Sequence, residues 1–280
     1  MKYKGILIPI GGNEDKGTNE DERHTLDFVK EGILSRIVIE SGGVDAKIVI
    51  IPTASGIPVK VTDNYLSAFR KLGCKNLKVL DIRTRDQANS IESLELIRWA
   101  DCIMFSGGDQ SKISEFIKDT NIHVVMKERL MKERIVIAGT SAGAMAMSKE
   151  MICGGSVAES LLAGSVLLGE GLSFMSQLIF DTHFIGRGRF GRVAEAVAHF
   201  PDLIGIGLAE DTGIIIEDGE DCTVIGSGMV ILFDGQHLVH NNAAILEKGT
   251  PMTMVNLLTH ILSEGDQFNI NTRKVTALEI

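Results

Sequence analysis

The sequence predicts an α/β fold: a doubly wound, mostly parallel sheet flanked by helices, with antiparallel hairpin strands toward the C-terminus. Two features of the hydrophobic pattern carry this prediction. In the first half of the chain the runs of Ile, Val and Leu are short and continuous, which is typical of parallel strands covered on both faces. Longer segments with helical spacing lie between these runs, and the strand–helix–strand repetition indicates βαβ units.

The individual elements follow from this alternation in chain order. Strands are predicted for the apolar runs at residues 5–10, 46–54, 77–82, 102–108 and 134–140. Helices are predicted for residues 21–35, 62–73, 90–100, 110–132 and 141–152. In the second of these helices, Tyr65, Phe69 and Leu72 recur at helical intervals, and Gly73 follows as a stop signal.

The last third of the chain has a different pattern. Further strands are predicted at residues 178–184, 203–211, 213–219, 222–228 and 229–235. Short connections with Gly and Asp separate the later runs, so we expect hairpins that form an antiparallel edge on the same sheet. A final helix is predicted over residues 251–263, with Pro251 at its start and Gly265 after its end. Because no linker or repeat divides the chain, we predict one domain over residues 1–280.

Composition and charge narrow the classes of function. The net charge of −9 argues against a nucleic-acid partner. No apolar run reaches the length of a membrane-spanning helix, and the first run is too short for a signal peptide, so no membrane association is expected. Cys74, Cys102, Cys153 and Cys222 form no C-x-x-C pair and no zinc-binding spacing. We therefore expect a reduced, cytoplasmic protein without a metal site.

The stretch GTSAG places Ser141 between an apolar run and a series of small residues. It fits G-x-S-x-G, the nucleophile elbow, in which a sharp strand-to-helix turn exposes the serine hydroxyl. That hydroxyl would emerge at the carboxyl end of a strand, where α/β folds bind ligands. The backbone N–H of Ala142, at the helix start, would help to stabilise an oxyanion. In the alternative interpretation, Ser141 is a helix N-cap whose small neighbours allow close packing.

A serine nucleophile needs a base, and the base needs an acid to orient it. Among the seven histidines, His183 is the strongest candidate, because the polar pair Asp181 and Thr182 precedes it at the end of an apolar run. Glu210 and Asp211 end another apolar run in the same way. An acid at such a strand end is costly without a partner, and a histidine would supply one. The residues alone do not decide which of the two acids faces the histidine.

Two further stretches carry candidate binding groups. Arg187, Arg189 and Arg192 lie close together in GRGRFGR and would form a clamp for carboxylates, although they would also suit a solvated helix start. Gly107 and Gly108 follow a strand in FSGGDQ, where their backbone N–H groups could line an anion or oxyanion site. The same stretch lacks the glycine spacing of a nucleotide-binding loop.

In these stretches the chain resembles cyanophycinase and its relatives, a serine-peptidase family that also includes the α-aspartyl dipeptidases. The resemblance covers nearly the whole chain and rests on IGGNEDK, FSGGDQ, GTSAGAMAM, DTHFIGRGRFGR and GIGLAEDTGIII, in that order. It implies that Ser141 is the nucleophile, His183 the base and Glu210 the acid. It further implies substrate-binding roles for Gln110, Asp181, Arg187, Arg189 and Arg192. One position departs from the family, because Thr182 stands where a substrate-contacting Gln is usual.

The resemblance also implies the reaction. We expect a serine exopeptidase that cleaves cyanophycin, a polyaspartate with arginine on each β-carboxyl group, into β-Asp-Arg dipeptides. The N–H groups of Gly107, Gly108 and Ala142 would form the oxyanion hole. No metal or organic cofactor would be needed, the partner would be a peptide or the polymer itself, and the family suggests a homodimer.

Other functions stay open at the level of the sequence. Because of Thr182, the substrate could instead be another aspartyl or isoaspartyl dipeptide. A catalytically silent protein could use the same pocket to bind an acidic peptide. A flavodoxin-like nucleotide binder is disfavoured, since no phosphate-binding loop is present.

Overall fold

The computed structural model describes residues 3–18 and 24–278. Its strands are β1 (Ile6–Ile10), β2 (Ile48–Ile51), β3 (Leu77–Val79), β4 (Cys102–Phe105), β5 (Val136–Thr140), β6 (Glu150–Gly155), β7 (Val166–Glu170), β8 (Leu178–Asp181), β9 (Ile204–Leu208), β10 (Thr212–Glu217), β11 (Asp221–Gly226), β12 (Val230–Asp234), β13 (His240–Asn241), β14 (Met254–Val255), β15 (Leu258–Leu262), β16 (Gln267–Asn269) and β17 (Lys274–Thr276). Its helices are α1 (Ile33–Glu40), α2 (Pro58–Lys71), α3 (Arg85–Asn89), α4 (Ile91–Trp99), α5 (Gln110–Ile117), α6 (Asn121–Lys132), α7 (Ala142–Met145) and α8 (Phe190–His199), with a 3₁₀ turn at Ala243–Ile245.

The predicted fold class is confirmed by the main sheet. In the described residues this sheet has nine strands in the order β17-β16-β11-β10-β1-β5-β4-β2-β3. Strands β1 to β5 pair in parallel, and the continuous apolar runs of β1, β2, β4 and β5 are buried on both faces, whereas β3 is a partly exposed edge strand. Strand β10 pairs antiparallel with β1 and is followed by the antiparallel strands β11, β16 and β17. The predicted antiparallel edge is therefore present.

A second sheet was not predicted. It has four strands in the order β15-β12-β9-β8, with β8 and β9 parallel and the other pairs antiparallel. The runs at 203–211 and 229–235 were expected at the antiparallel edge of the main sheet, and this expectation is wrong. Strand pairing across long chain separations leaves no local signal, so the apolar pattern alone could not separate the two sheets.

The predicted helix over residues 251–263 is wrong. This segment contains β14 and β15, and β15 pairs along its whole length with β12. Leu258 and Ile261 are largely exposed, so the segment has no buried helical face. Pro251 and Gly265 bound the segment in sequence, and such residues can flank a strand as readily as a helix.

Three other predicted helices have different bounds. Of the predicted helix 21–35, residues 21–23 lie outside the described residues and residues 24–32 are not helical, so the prediction is wrong there, and α1 begins only at Ile33. The segment 110–132 forms two helices, α5 and α6, because Asp119 between them has a φ of 58° that interrupts helical geometry. The segment 141–152 contains only the short helix α7 before the chain turns into β6.

The carboxyl ends of the parallel neighbours β1 and β5 lie side by side, and Ile10 pairs with Thr140. One apolar cluster fills each face of the main sheet: Leu7 and Ile103 belong to one cluster, and Ile8 belongs to the other. The loops that follow β1, β4 and β5 consequently leave a rigid sheet at the same edge, as expected for ligand-binding loops in α/β folds.

Candidate active site

Ser141 lies on a strained turn between β5 and α7. Its φ of 51° and ψ of −111° fall where residues other than glycine are rare. The turn is closed tightly, because a Cβ atom on Gly139 would lie 2.6 Å from the carbonyl carbon of Gly143. The Ser141 side chain makes no capping hydrogen bond to α7. Its hydroxyl is instead 3.1 Å from Nε2 of His183, which argues against the N-cap interpretation.

His183 and Glu210 follow the parallel neighbours β8 and β9, so the sheet brings their side chains together. Nδ1 of His183 is 3.4 Å from Oε1 of Glu210. Asp211 is turned away from the histidine, because its carboxylate accepts hydrogen bonds from the Asp15 N–H and the Ser227 hydroxyl. The structure thus places Glu210, not Asp211, beside the imidazole. Serine, imidazole and carboxylate form a series in which the histidine can accept the serine proton.

The environment of His183 keeps its imidazole neutral near pH 7. Burial lowers the pKa of His183, the positive charge of Arg187 lowers it further, and Glu210 opposes the shift. With Nδ1–H donating to Glu210, Nε2 carries the lone pair that faces the Ser141 hydroxyl. The ring is therefore in the form required of a general base.

Gly107 and Gly108, in the loop after β4, lie beside the serine. A Cβ atom on Gly107 would lie 3.3 Å from the Cβ of Ser141, and Gly108 has a φ of 145°. Within the described ranges, no residue accepts a hydrogen bond from the N–H of Gly107 or Gly108. Ala142, the first residue of α7, is adjacent to Ser141 in the chain. Gly107 and Gly108 line the same cavity as Ser141.

The three arginines have different surroundings. Asp181 is fully buried, with Oδ1 3.0 Å from Nη1 of Arg189 and Oδ2 3.0 Å from Nε of Arg192. A carboxylate at the end of a buried strand needs such counter-charges, and these two arginines supply them. Arg187 is exposed and lines the cavity over Ser141. Of the predicted clamp, the structure places Arg187 at the cavity and ties the other two to Asp181.

Gln110 and Thr182 are held by the protein itself. The side-chain amide of Gln110 donates to the backbone carbonyls of Ile152 and Cys153. Thr182 is completely buried, with its hydroxyl 3.3 Å from Sδ of Met145. The difference at position 182 from the family pattern is therefore accommodated inside the protein, below the cavity.

Part of the cavity lining was not predicted from the sequence. The cavity has a volume of about 420 Å³, and its lining includes Glu14, Lys16, Asn64 and Tyr65. Glu14 and Lys16 belong to IGGNEDK, to which the sequence analysis assigned no role. A signal was present, since polar residues follow β1 just as Ser141 follows β5.

Two negative findings apply to residues 3–18 and 24–278. No group of three or more His, Cys, Asp and Glu side chains there is arranged to hold a metal ion. No helix in the same ranges is long and apolar enough to cross a membrane.

An α/β fold in which a strained serine follows a strand of one sheet, and meets a histidine and a carboxylate that follow strands of another, defines the class of serine-type hydrolases. Comparison with known proteins specifies the class further. The model of the family described as "Peptidase family S51" matches residues 23–224. A cyanophycinase of Geminocystis herdmanii (strain PCC 6308) is 35% identical over 274 residues, which cover 98% of this chain and 97% of that protein. A cyanophycinase of Trichormus variabilis (strain ATCC 29413 / PCC 7937) is 34% identical over 97% of this chain and 88% of its own length. The chain belongs to peptidase family S51, and it is a serine-type peptidase.

Solved structures show the same fold. The crystal structure of a peptidase from an acI-B1 Actinobacterium has a TM-score of 0.62 at 21% identity and covers 94% of this chain and 98% of that one. A putative peptidase E protein from Listeria monocytogenes EGD-e has a TM-score of 0.50 at 15% identity, over 79% of this chain and 98% of its own. At these identities the likeness supports the fold alone.

Proposed function

We propose that this peptidase is a cyanophycinase-like exopeptidase that hydrolyses cyanophycin to β-Asp-Arg dipeptides through Ser141, His183 and Glu210. The observation that carries the proposal is the pair of contacts from His183, 3.1 Å to the serine hydroxyl and 3.4 Å to the glutamate. The two cyanophycinases that align along nearly the whole chain supply the substrate class.

In the proposed reaction the Ser141 hydroxyl attacks the scissile backbone carbonyl while Nε2 of His183 takes its proton. The N–H groups of Gly107, Gly108 and Ala142 stabilise the negative oxygen of the tetrahedral intermediate. His183 then gives the proton to the leaving amine, and a water molecule hydrolyses the acyl-enzyme by the same steps. Glu210 orients the imidazole and stabilises its positive charge. No step uses a metal or an organic cofactor, so a chelator should leave the rate unchanged.

The charges around the cavity support a substrate with free carboxylates. Among the described lining residues the cations are Lys16 and Arg187, and the acid is Glu14. Both carboxylate oxygens of Glu14 already accept hydrogen bonds from the protein. Arg187 would bind the free carboxylate of a β-linked arginine, or the side chain of a neighbouring aspartate, through two parallel hydrogen bonds.

The same charges favour a second candidate, a peptidase for other aspartyl or isoaspartyl dipeptides. Such a substrate presents carboxylates to Lys16 and Arg187. Because it need not contain arginine, its binding requires no acidic residue in the cavity to pair with a substrate guanidinium. The buried position of Thr182 is compatible with either substrate.

The test measures release of β-Asp-Arg from purified cyanophycin by wild type, Ser141→Ala and the control Ser67→Ala, which alters an exposed serine of α2. We expect Ser141→Ala to lose activity by about 10⁴-fold or more, and the control to keep it. Labelling with a fluorophosphonate and assays on α- and β-aspartyl dipeptides run in parallel.

Each result identifies one of the proposed functions. Release by wild type but not by Ser141→Ala supports the cyanophycinase function. Labelling without polymer cleavage shifts the assignment to the dipeptides. A wild type that is neither labelled nor active would be a silent binding protein and would refute the proposed chemistry. The single domain over residues 1–280, the homodimer and the cytoplasmic location are further proposals, open to limited proteolysis, sedimentation and fractionation.

A further inference from the structure

Residues 10–16, which begin at the last residue of β1, form backbone hydrogen bonds to each proposed catalytic residue or to its neighbour in the chain. The carbonyl oxygen of Ile10 accepts a hydrogen bond from the Ser141 N–H at 2.9 Å. The next carbonyl along, that of Gly11, accepts one from the His183 N–H at 2.8 Å. Two adjacent residues of this segment therefore set the separation of the nucleophile and the base.

Gly12, the next residue of the segment, makes a similar backbone contact beside the proposed acid Glu210. The carbonyl oxygen of Gly12 accepts a hydrogen bond from the N–H of Asp211, the residue after Glu210, at 2.8 Å. The Asp15 N–H in turn donates to the Asp211 carboxylate at 3.1 Å. The two turns that carry His183 and Asp211 have positive φ angles of 48° and 45°, so both depend on surrounding contacts to hold them.

Glu14 is the side chain of this segment that contacts the elbow. It is 2% exposed, and its Oε2 accepts a hydrogen bond from the Thr140 hydroxyl at 2.7 Å. Its Oε1 accepts from the Tyr65 hydroxyl and, at 3.1 Å, from Nζ of Lys16. Burial alone would raise the pKa of Glu14, but the Lys16 charge and the hydroxyls of Tyr65 and Thr140 hold it below its ordinary value. The buried group is thus a carboxylate, which can accept all three hydrogen bonds.

Thr140 immediately precedes the strained residue Ser141. Two hydrogen bonds hold this part of the chain. The Thr140 hydroxyl donates to the Glu14 carboxylate, and the Ser141 N–H donates to the carbonyl oxygen of Ile10. A backbone conformation of this kind is unfavourable by itself and persists only where neighbouring contacts enforce it. We propose that Glu14 is a positioning residue whose carboxylate, by holding the Thr140 hydroxyl, keeps the strained backbone of Ser141 in place. This inference rests on the proposed role of Ser141 as the nucleophile.

The test uses the rate at which a fluorophosphonate labels Ser141, which requires no knowledge of the substrate. Thr140→Val removes the hydroxyl and keeps the shape, and we expect labelling and kcat to fall by about 10- to 100-fold with KM nearly unchanged. Thr140→Ser retains the hydroxyl and should restore the rate. Thr120→Val is the matched control, because Thr120 is also buried and its hydroxyl bonds a backbone carbonyl between α5 and α6.

A second variant, Glu14→Gln, keeps the side-chain volume but removes the charge and one acceptor, and it should slow labelling as Thr140→Val does. Circular dichroism and urea unfolding show which variants are folded. If either folded variant labels at the wild-type rate, or if Thr120→Val slows labelling as much as Thr140→Val, the inference is overturned. If wild type labels but leaves cyanophycin intact, the proposed substrate fails while the labelling rates still decide the role of Glu14. A wild type that does not label overturns both.

Discussion

The buried cluster of Asp181 with Arg189 and Arg192 gives a prediction that separates structural from substrate-binding arginines. The Asp181 side chain has no exposure, and those of Arg189 and Arg192 are 13% and 5% exposed. In Asp181→Asn the two guanidinium groups lose their counter-charge while remaining buried. Removing one member of a buried ion pair costs about 3–5 kcal/mol, and we expect a loss of this size in the free energy of unfolding.

The assay is urea unfolding at neutral pH, followed by fluorescence and circular dichroism so that two-state behaviour is checked. Glu133→Gln is the control, because the Glu133 side chain, which pairs with Arg129 at 2.7 Å, is 54% exposed, and Arg129 keeps its hydrogen bonds to the carbonyl oxygens of Ile97 and Ala100. A solvent-screened carboxylate contributes about 0–1 kcal/mol, so the control should unfold near the wild-type midpoint. Adding Arg192→Met to Asp181→Asn should recover part of the loss, since one unpaired buried charge disappears.

The opposite result would restore the clamp interpretation of these arginines. If Asp181→Asn unfolds at the same midpoint as the control, the two guanidinium groups are not held by Asp181 and are available to substrate. In that case Arg192→Met should raise KM as strongly as a substitution of Arg187.

Three further predictions follow from the site and from the thiols. Because burial and the charge of Arg187 lower the pKa of His183, the acid limb of kcat/KM should lie at a lower pH than an ordinary histidine would give. Arg187→Gln should move this acid limb to higher pH, and an unmoved limb would show that Arg187 does not act on the imidazole. Gly12→Ala would place a Cβ atom 2.5 Å from the His183 ring and should lower kcat by about 10-fold or more. The control Gly56→Ala, whose Cβ would meet nothing within 4 Å, should keep full activity, and equal rates for the two variants would contradict the geometry. In a titration with a chromogenic disulfide, Cys153 should react alone in the native protein, because the other thiols are buried, and rapid reaction of more than one thiol would contradict this burial.

The fold was predictable to the extent that its signals are local. The continuous runs of β1 to β5 require cover on both faces, and that requirement alone predicts a parallel sheet between helices. The segment that became β15 shows the limit of such signals. Its proline and glycine mark boundaries without specifying what lies between them, and its conformation follows from pairing with β12, which the local sequence does not encode.

The site was predictable where one residue type suffices for one role. A serine after a strand and a histidine after another strand marked Ser141 and His183 as candidates, and the family resemblance implied their roles. The structure brings the two side chains within hydrogen-bond distance. Charge patterns were less informative, because a sequence cannot tell whether Arg189 faces a substrate carboxylate or Asp181. The hydrogen bond between Glu14 and Thr140 joins residues that are 126 positions apart, so neither local stretch of sequence predicts it.

The proposed catalytic residues come from both sheets, and this has a consequence for folding. Ser141 follows β5 of the nine-stranded sheet, whereas His183 follows β8 of the four-stranded sheet. Either sheet could acquire its hydrogen bonds and its circular dichroism before the hydroxyl reaches the imidazole. Regain of enzymatic activity would then report the docking of one sheet on the other, a late event in a chain whose pairings are so distant in sequence.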